Sequence, residues 1–194
     1  VYQDKSNKLK SVLDNGNRDY GFIDGNLSAT DFEYNTDGNL KRDYNKGINT
    51  DIQYNYLNLP KQVNLPGGTI TYKYDATGTK QQKIVSSGGS TDTYDYVAGR
   101  VYKNNILEYF SQPEGYIENN GGSFDYIYQY KDHLGSIRLS YKNIGTNASP
   151  DLQILEENNY YPFGLQHKGY NNTISSNGNS TAQKKGYQSK ELQD

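Results

Sequence analysis

A tyrosine followed by asparagine or aspartate recurs at intervals of twenty residues in this chain. The four pairs begin at Tyr34, Tyr54, Tyr74 and Tyr94. A bulky residue stands two positions before three of them, namely Phe32, Ile52 and Tyr72. Because alternate residues of a strand share one face of a sheet, each such pair of side chains points the same way. Twenty residues accommodate two strands of about five to seven residues and two short turns, so each repeat predicts one β-hairpin.

Residues that tolerate turns follow each tyrosine by four positions. They are Gly38, Asn58, Gly78 and the pair Ala98–Gly99, and Asp37–Gly38 is a strong hairpin dipeptide. A single hairpin is marginally stable, so successive hairpins must pair side by side. The pattern predicts an all-β fold, in which antiparallel hairpins form one continuous sheet with very little helix.

The composition supports an ordered all-β chain. Only 32% of the residues are hydrophobic and the mean hydropathy is -1.00, values that are typical of disorder when aromatic residues are scarce. This chain has 21 Tyr and 20 Gly. Tyrosine favours strands and buries a large ring while its hydroxyl stays hydrated or hydrogen-bonded. We therefore expect a thin, polar, aromatic interior between turns.

Charge and residue usage exclude several classes of function. A formal net charge of -2 provides no broad basic surface for a phosphate backbone, so nucleic acid is not an expected partner. The absence of Cys excludes disulfides and thiolate metal sites. No run approaches the roughly 20 apolar residues of a membrane helix. Val1 opens within a strand-like pattern without a signal peptide, which predicts an internal fragment of a longer polypeptide.

Three later segments carry more specific motifs. The first contains Asp132, His133, Leu134, Gly135, Ser136, Ile137 and Arg138, the second is Tyr160, Tyr161, Pro162, Phe163 and Gly164, and the third is 190–194. With the repeats, they resemble the RHS/YD-repeat family: the "DHLGS[VIT]R" signature of the RHS-associated core, its "YYPFG" segment and the "KELQDE" stretch of Bacteroidetes-type members. Gln188 and Ser189 replace the Asn-Gly that usually precedes this stretch.

The resemblance implies a spiralling shell of β-hairpins, or cocoon, with 1–125 as tandem YD-type hairpins and 126–194 as an RHS-associated core segment. In many family members the shell encloses a C-terminal toxin, and in others it serves adhesion or gliding. The family's self-cleaving aspartates lie in a region beyond the "KELQDE" stretch. No catalytic residue is therefore carried over to this chain, and we expect neither enzymatic activity nor a cofactor.

Chemical interpretations of the core motifs compete with structural ones. Asp132 and His133 could hold a metal or take part in catalysis, but a metal needs three or four ligands and the only other histidine is His167. The alternative is a turn in which Asp132 acts as the cap and Gly135 takes an unusual backbone angle. A binding contact is a third interpretation. We predict the structural role.

Two further groups of residues allow a chemical interpretation. The aromatic rings of the Tyr160–Gly164 segment could stack on sugars, although packing within the shell is the expected role, with Pro162 at an edge or bend. Asp75 and Asp95 could act as paired carboxylates in acid–base chemistry. Because both recur at one phase of the repeat, we predict that they form turns.

The sequence thus predicts a structural shell segment of a secreted or cell-surface bacterial protein. Its expected partner is flanking RHS sequence, or a separate polypeptide that completes the shell, with a C-terminal toxin as the enclosed cargo. One alternative is a surface adhesin or gliding-motility module that binds protein or glycan. Another is the RHS aspartyl autoprotease core, whose catalytic part is missing from this sequence.

Overall fold

The computed structural model describes residues 1–17, 22–26, 28–167 and 179–190. These residues form thirteen β-strands and one α-helix, which confirms the all-β prediction. The strands are β1 (Phe32–Tyr34), β2 (Leu40–Asp43), β3 (Gln53–Tyr54), β4 (Pro60–Leu65), β5 (Gly68–Tyr74), β6 (Lys80–Ser87), β7 (Ser90–Val97), β8 (Arg100–Lys103), β9 (Ile106–Gln112), β10 (Gly115–Asn120), β11 (Ser123–Lys131), β12 (Ile137–Asn143) and β13 (Leu152–Glu157). The α-helix is α1 (Ser180–Lys184), and single 3-10 turns occur at Tyr44–Lys46, Pro162–Gly164 and Tyr187–Ser189.

The chain divides into two compact units, and the division falls within β9. One unit contains Val1–Asn15 and Ile23–Glu108, and the other contains Gly16–Phe22 and Tyr109–Asp194. In the first, β3 to β8 pair in chain order, each antiparallel to the next. In the second, β9 to β13 do the same. The motif-based division at 125/126 stays a prediction.

The first three repeats each form the expected hairpin. β1–β2, β3–β4 and β5–β6 are antiparallel pairs whose turns begin at Asn35, Asn55 and Asp75. The prediction of one continuous sheet is wrong at the first hairpin, because β1 and β2 form a two-stranded sheet of their own. A backbone hydrogen bond of 2.9 Å from the Ile52 N–H to the Lys41 carbonyl leads from this hairpin to the next.

Later hairpins close with tighter, two-residue turns. Both central residues have positive φ at Gly88–Gly89, Ala98–Gly99, Asn104–Asn105 and Gly121–Gly122, as type I′ turns require. Four polar stretches lie between strand-like runs of the sequence and so predict hairpin tips. Two of them, 86–91 and 118–123, coincide with these turns, which confirms the prediction. The third, 143–149, lies between β12 and β13 as predicted, and most of the fourth, 171–181, lies outside the described residues.

The prediction that Asp95 forms a turn is wrong. Asp95 lies inside β7, pairs with Tyr102 of β8, and its Oδ1 accepts a 2.6 Å hydrogen bond from Gln82 Nε2. The reason is the tight turn at Ala98–Gly99, which allows β7 to continue to Val97. At the fourth tyrosine the twenty-residue spacing therefore persists, but the wide turn does not.

The interior of the first unit includes a row of tyrosine and lysine side chains beside the buried Ile70 and Val101. Tyr72, Lys83, Tyr94 and Lys103 stand directly opposite one another on β5 to β8. Tyr72 and Tyr94 are buried, and so is Lys83, whose ammonium lies 4.9 Å from the centroid of the Tyr94 ring. A cation over an aromatic face is attractive, which explains how such a polar row can form a core.

The second unit has a small apolar core beneath α1. It consists of Tyr116, Ile127, Leu155 and Ala182. The Tyr116 hydroxyl donates a 3.0 Å hydrogen bond to Asn179 Oδ1, and the same oxygen accepts from the Ala182 N–H as the N-cap of α1. This side-chain cap fixes the short helix on one face of the sheet.

Candidate functional site

Four turns share one hydrogen-bond pattern, and they include the Asp132 motif. Their first residues are Asn35, Asn55, Asp75 and Asp132. In each, the first residue's N–H donates to the fifth residue's carbonyl, and the fourth residue's N–H donates back to the first. The side-chain Oδ1 of the first residue also accepts from the N–H groups of the third and fifth. We call this pattern the capped turn.

The fourth position of the capped turn requires a left-handed backbone. It is occupied by Gly38, Asn58, Gly78 and Gly135, at φ values of +90°, +59°, +87° and +79°. Glycine adopts this region without a Cβ penalty, and asparagine tolerates it better than most residues. Each turn is accompanied by a register shift, so that the residue before the turn pairs with the residue after it, as Tyr34 does with Leu40.

The Tyr160–Gly164 segment forms a fifth copy of the same backbone turn. The Tyr161 N–H donates to the Leu165 carbonyl at 2.7 Å, and the Gly164 N–H donates to the Tyr161 carbonyl at 3.1 Å. Gly164 has φ +95°, and Tyr160 bridges to Gln166 across the turn. Tyr161 has no carboxylate or carboxamide, so this copy lacks the side-chain cap. The side chain of Phe163 lies outside what the structure describes.

Tyrosines just before a turn hold the turn's hairpin to the preceding one. The Tyr54 hydroxyl donates to the Leu40 carbonyl at 2.6 Å and the Tyr74 hydroxyl to the Pro60 carbonyl at 3.0 Å. Each acceptor lies five residues after the first residue of the preceding capped turn. Burial raises the pKa of both phenols, which keeps them protonated as donors. We call this contact the tyrosine clasp.

The same clasp recurs between the two core motifs. The Tyr160 hydroxyl donates a 3.1 Å hydrogen bond to the carbonyl of Ile137, which is five residues after Asp132. Tyr34 differs from the clasp tyrosines: burial raises its pKa, but its backbone hydrogen bond with Leu9 lowers the pKa, as a donor to the phenol oxygen does. Tyr94 differs from these residues, since it lies in a strand interior between two lysine ammonium groups.

Charges reinforce the clasp at Tyr160. Arg138 Nε lies 2.9 Å from Asp132 Oδ2, and the guanidinium carbon lies 5.2 Å from the centroid of the Tyr160 ring. The Ser136 N–H, then Arg138 and the Leu134 N–H, lower the pKa of Asp132. Burial raises the pKa of Tyr160 to about 12. At neutral pH the carboxylate is thus ionised and the phenol is protonated, the states that both contacts require.

The C-terminal described residues pack onto this group. The buried Ser136 Oγ accepts a 3.1 Å hydrogen bond from the Gln188 N–H, and the Tyr187 ring meets the Tyr160 ring edge to face at 5.7 Å. A Cβ on Gly164 would clash with the Tyr187 ring. Gln188 is left-handed at φ +50°, a conformation that the Asn of an Asn-Gly pair adopts more readily. Residues 191–194 of the third motif lie outside the described residues.

The histidines and repeat aspartates lie in separate settings. His133 is exposed at its turn, whereas His167 stacks on Tyr161 with ring centroids 3.7 Å apart. Asp75 caps its turn, and its pKa is lowered first by the Thr77 hydroxyl, while Asp95 lies in β7. In the part of the chain that the structure describes, no three His, Asp or Glu side chains converge as a metal would require.

Comparison with known proteins identifies no relative. No protein-family model matches the chain, and no curated protein matches it. The resemblance to RHS proteins therefore depends on the motifs and repeats alone. No helix within the described ranges is both long and apolar enough to cross a bilayer.

Sequence reasoning missed one surface that the structure displays clearly. Phe124, Tyr126, Tyr128 and Tyr130 are alternate residues of β11, so their rings lie on one face. Three of the four are exposed. Aromatic residues alternate with other residues from 124 to 130, and this alternation could have predicted the surface. The sequence analysis instead followed the twenty-residue tyrosine repeat, to which these residues do not belong.

Proposed function

We propose that this chain is a structural wall segment of an RHS-like shell, which encloses or presents another polypeptide. The supporting observation is the tyrosine clasp, because at three places it joins a hairpin or turn to the preceding one through a side chain and the backbone. It connects Tyr54 to Leu40, Tyr74 to Pro60 and Tyr160 to Ile137. Its recurrence between the Asp132 and Tyr160–Gly164 motifs supports a wall-building role for both motifs.

A repeated clasp suits a wall because it adds stiffness across the strand direction. Backbone ladders hold paired strands together, and side-chain contacts between neighbouring hairpins limit their relative movement. The capped turn contributes by fixing the hairpin end through four hydrogen bonds, as at Asp132. Such a wall requires little apolar core, which agrees with a hydrophobic content of 32%.

Limited proteolysis of the natural gene product tests enclosure. We expect a second segment of that product to resist protease while this wall is intact, and to be digested once the clasps are weakened. The triple variant Tyr54→Phe/Tyr74→Phe/Tyr160→Phe removes the three clasp hydroxyls and keeps the rings. A matched control, Tyr2→Phe/Tyr56→Phe/Tyr161→Phe, changes three exposed tyrosines. Equal digestion of that segment in the clasp variant and the control would refute enclosure.

A surface-binding role is the second candidate. It is supported by the exposed aromatic residues of β11, which a purely internal wall would not require. The gene sequence beyond Asp194 separates the two roles: a protease region followed by an unrelated tail indicates a carrier, and a sorting domain indicates surface display.

A further inference from the structure

One face of the second unit carries a continuous row of aromatic rings. Its centre is β11, where Phe124, Tyr126, Tyr128 and Tyr130 are alternate residues. Cross-strand neighbours extend it: Tyr141 is opposite Tyr128 and stacks on it at 5.6 Å, and Phe110 meets Phe124 edge to face at 6.3 Å. We call these six residues the aromatic strip. Alternate strand residues are about 7 Å apart, so the strip extends about 20 Å along β11.

The strip is exposed, although the opposite face of the same strand is covered at its centre. Phe124, Tyr126 and Tyr130 are 52%, 55% and 66% exposed, whereas Ile127 between them is 0% exposed. A contiguous exposed aromatic surface is unusual for a soluble protein and marks an interaction site more often than a scattered apolar residue does.

The tyrosine hydroxyls of the strip differ from those of the clasps. The hydroxyls of Tyr54, Tyr74 and Tyr160 donate to backbone carbonyls. Those of Tyr126, Tyr128, Tyr130 and Tyr141 have no hydrogen-bond partner within the described ranges. The strip tyrosines therefore contribute no hydroxyl contact to the sheet, and their hydroxyls are available to a ligand.

The strip is also almost free of charge. In the rows that cross it, Phe124 is opposite Asn119, Tyr126 opposite Ile117, and Tyr128 opposite Gly115 and Tyr141. The charged side chains beside these rows are acidic: Glu157 lies at the end of the row through Tyr130 and Leu139, and Glu108 is the alternate residue before Phe110 in β9. The nearby pair Lys142–Asp125, at 2.9 Å, belongs to the opposite face. This neutrality disfavours nucleic acid, which needs cations beside its stacking platforms.

We propose that the aromatic strip binds an extended, uncharged polysaccharide. Aromatic faces are electron-rich and attract the polarised C–H bonds of a sugar ring, while the free hydroxyls of Tyr126 and Tyr130 can bond to sugar hydroxyls. A polypeptide strand suits this face less well. The backbone of β11 is already paired with β10 and β12 on its two sides, so an added strand would find no backbone partner there.

Affinity electrophoresis of the full 194-residue chain tests the proposal. Native gels are cast with hydroxyethyl cellulose, mannan or dextran as neutral polysaccharides, and with polygalacturonate as a charged one. We expect at least one neutral polysaccharide to retard the chain. The double variant Tyr126→Ala/Tyr130→Ala should bind that polysaccharide at least about tenfold more weakly, because it loses two stacking surfaces.

The control variant Tyr2→Ala/Tyr56→Ala removes two tyrosines that are 63% and 81% exposed and lie outside the strip, and it should be retarded like the wild type. Melting temperatures of both double variants, compared with the wild type, show that exposed positions were changed without unfolding. Absence of retardation by every neutral polysaccharide overturns the proposal, as does equal retardation of the two variants. Gels cast with polygalacturonate or with the protein β-casein complete the test. Retardation by one of these, with none by a neutral polysaccharide, would also overturn the proposal and would indicate a charged or a protein partner.

Discussion

The hydroxyl of Tyr160 donates a 3.1 Å hydrogen bond to the backbone carbonyl of Ile137, which lies 23 residues earlier in the chain. This contact joins the Asp132 and Tyr160–Gly164 motifs, since Ile137 follows the Asp132 turn and Tyr160 directly precedes the turn that begins at Tyr161. Tyr54 and Tyr74 make the equivalent contact between the first repeats. The Asp132 motif and the Tyr160–Gly164 motif thus have the same backbone turn and clasp as the repeats, although their sequences differ from the repeat sequence.

The clasp at Tyr160 gives a direct stability prediction. Tyr160→Phe keeps the ring beside Arg138 and Tyr187 but removes the donor to Ile137. We expect the free energy of unfolding to fall by about 1 kcal/mol, the usual net value of one hydrogen bond. Urea denaturation measures it. Tyr161→Phe is the matched control at an exposed neighbour, and a loss of equal size in that variant would contradict the clasp.

The same residue predicts a loss of stability in alkaline solution. The pKa of Tyr160 is raised to about 12 by burial, against about 10 for a tyrosine in the unfolded chain. Because the folded pKa is the higher one, the protonated phenol contributes its full stabilisation below pH 10. That contribution is lost as the pH rises through 12. The difference in unfolding free energy between wild type and Tyr160→Phe should therefore shrink between pH 9 and pH 12. A difference that stays constant over this range would count against the assignment.

The stability that Asp132 contributes should depend on pH in the opposite sense and be lost in acid. Its pKa is lowered by the Ser136 N–H and then by Arg138, so its ionised form stabilises the fold above the unfolded pKa of about 4. That contribution is lost as the pH falls through the folded value. Asp132→Asn can retain the turn bonds that Asn35 makes but loses the ion pair. Its melting temperature should lie below that of the wild type at pH 7 and converge with it near pH 2.

Asp132→Ala supplies the control for the turn itself. It removes the side-chain acceptor for two N–H groups, so it should melt below Asp132→Asn at every pH. If the two variants melt together at pH 7, the capped turn contributes nothing beyond the ion pair.

The sequence predicted the fold better than it predicted the contacts. Twenty-residue spacing, with Asn or Asp followed three positions later by Gly or Asn, was sufficient for the first three hairpins, because local turn chemistry decides them. Tyr161 could not be recognised as the start of an equivalent turn, since it lacks the side-chain acceptor that marks the others. The clasps were not predicted either, because the partner of a tyrosine hydroxyl depends on how adjacent hairpins align. The same holds for Asp95, whose place in β7 follows from the tight turn beyond it.

Substitution of Gly115 should destabilise the fold, because β10 and β11 approach each other closely at this residue. It is buried in β10 opposite Tyr128, and a Cβ at this position would clash with the carbonyl oxygen of Ile127. Backbone atoms cannot give way as a flexible side chain does, so Gly115→Ala should lower the unfolding free energy by about 3 kcal/mol. Gly99→Ala is the control: it has φ +79° but open space around it, and should cost only about 1 kcal/mol for the left-handed backbone. Chemical denaturation of both variants measures the contrast. Equal losses would mean that β10 moves away from β11 to admit the methyl group, and that this part of the sheet deforms more easily than its close strand spacing indicates.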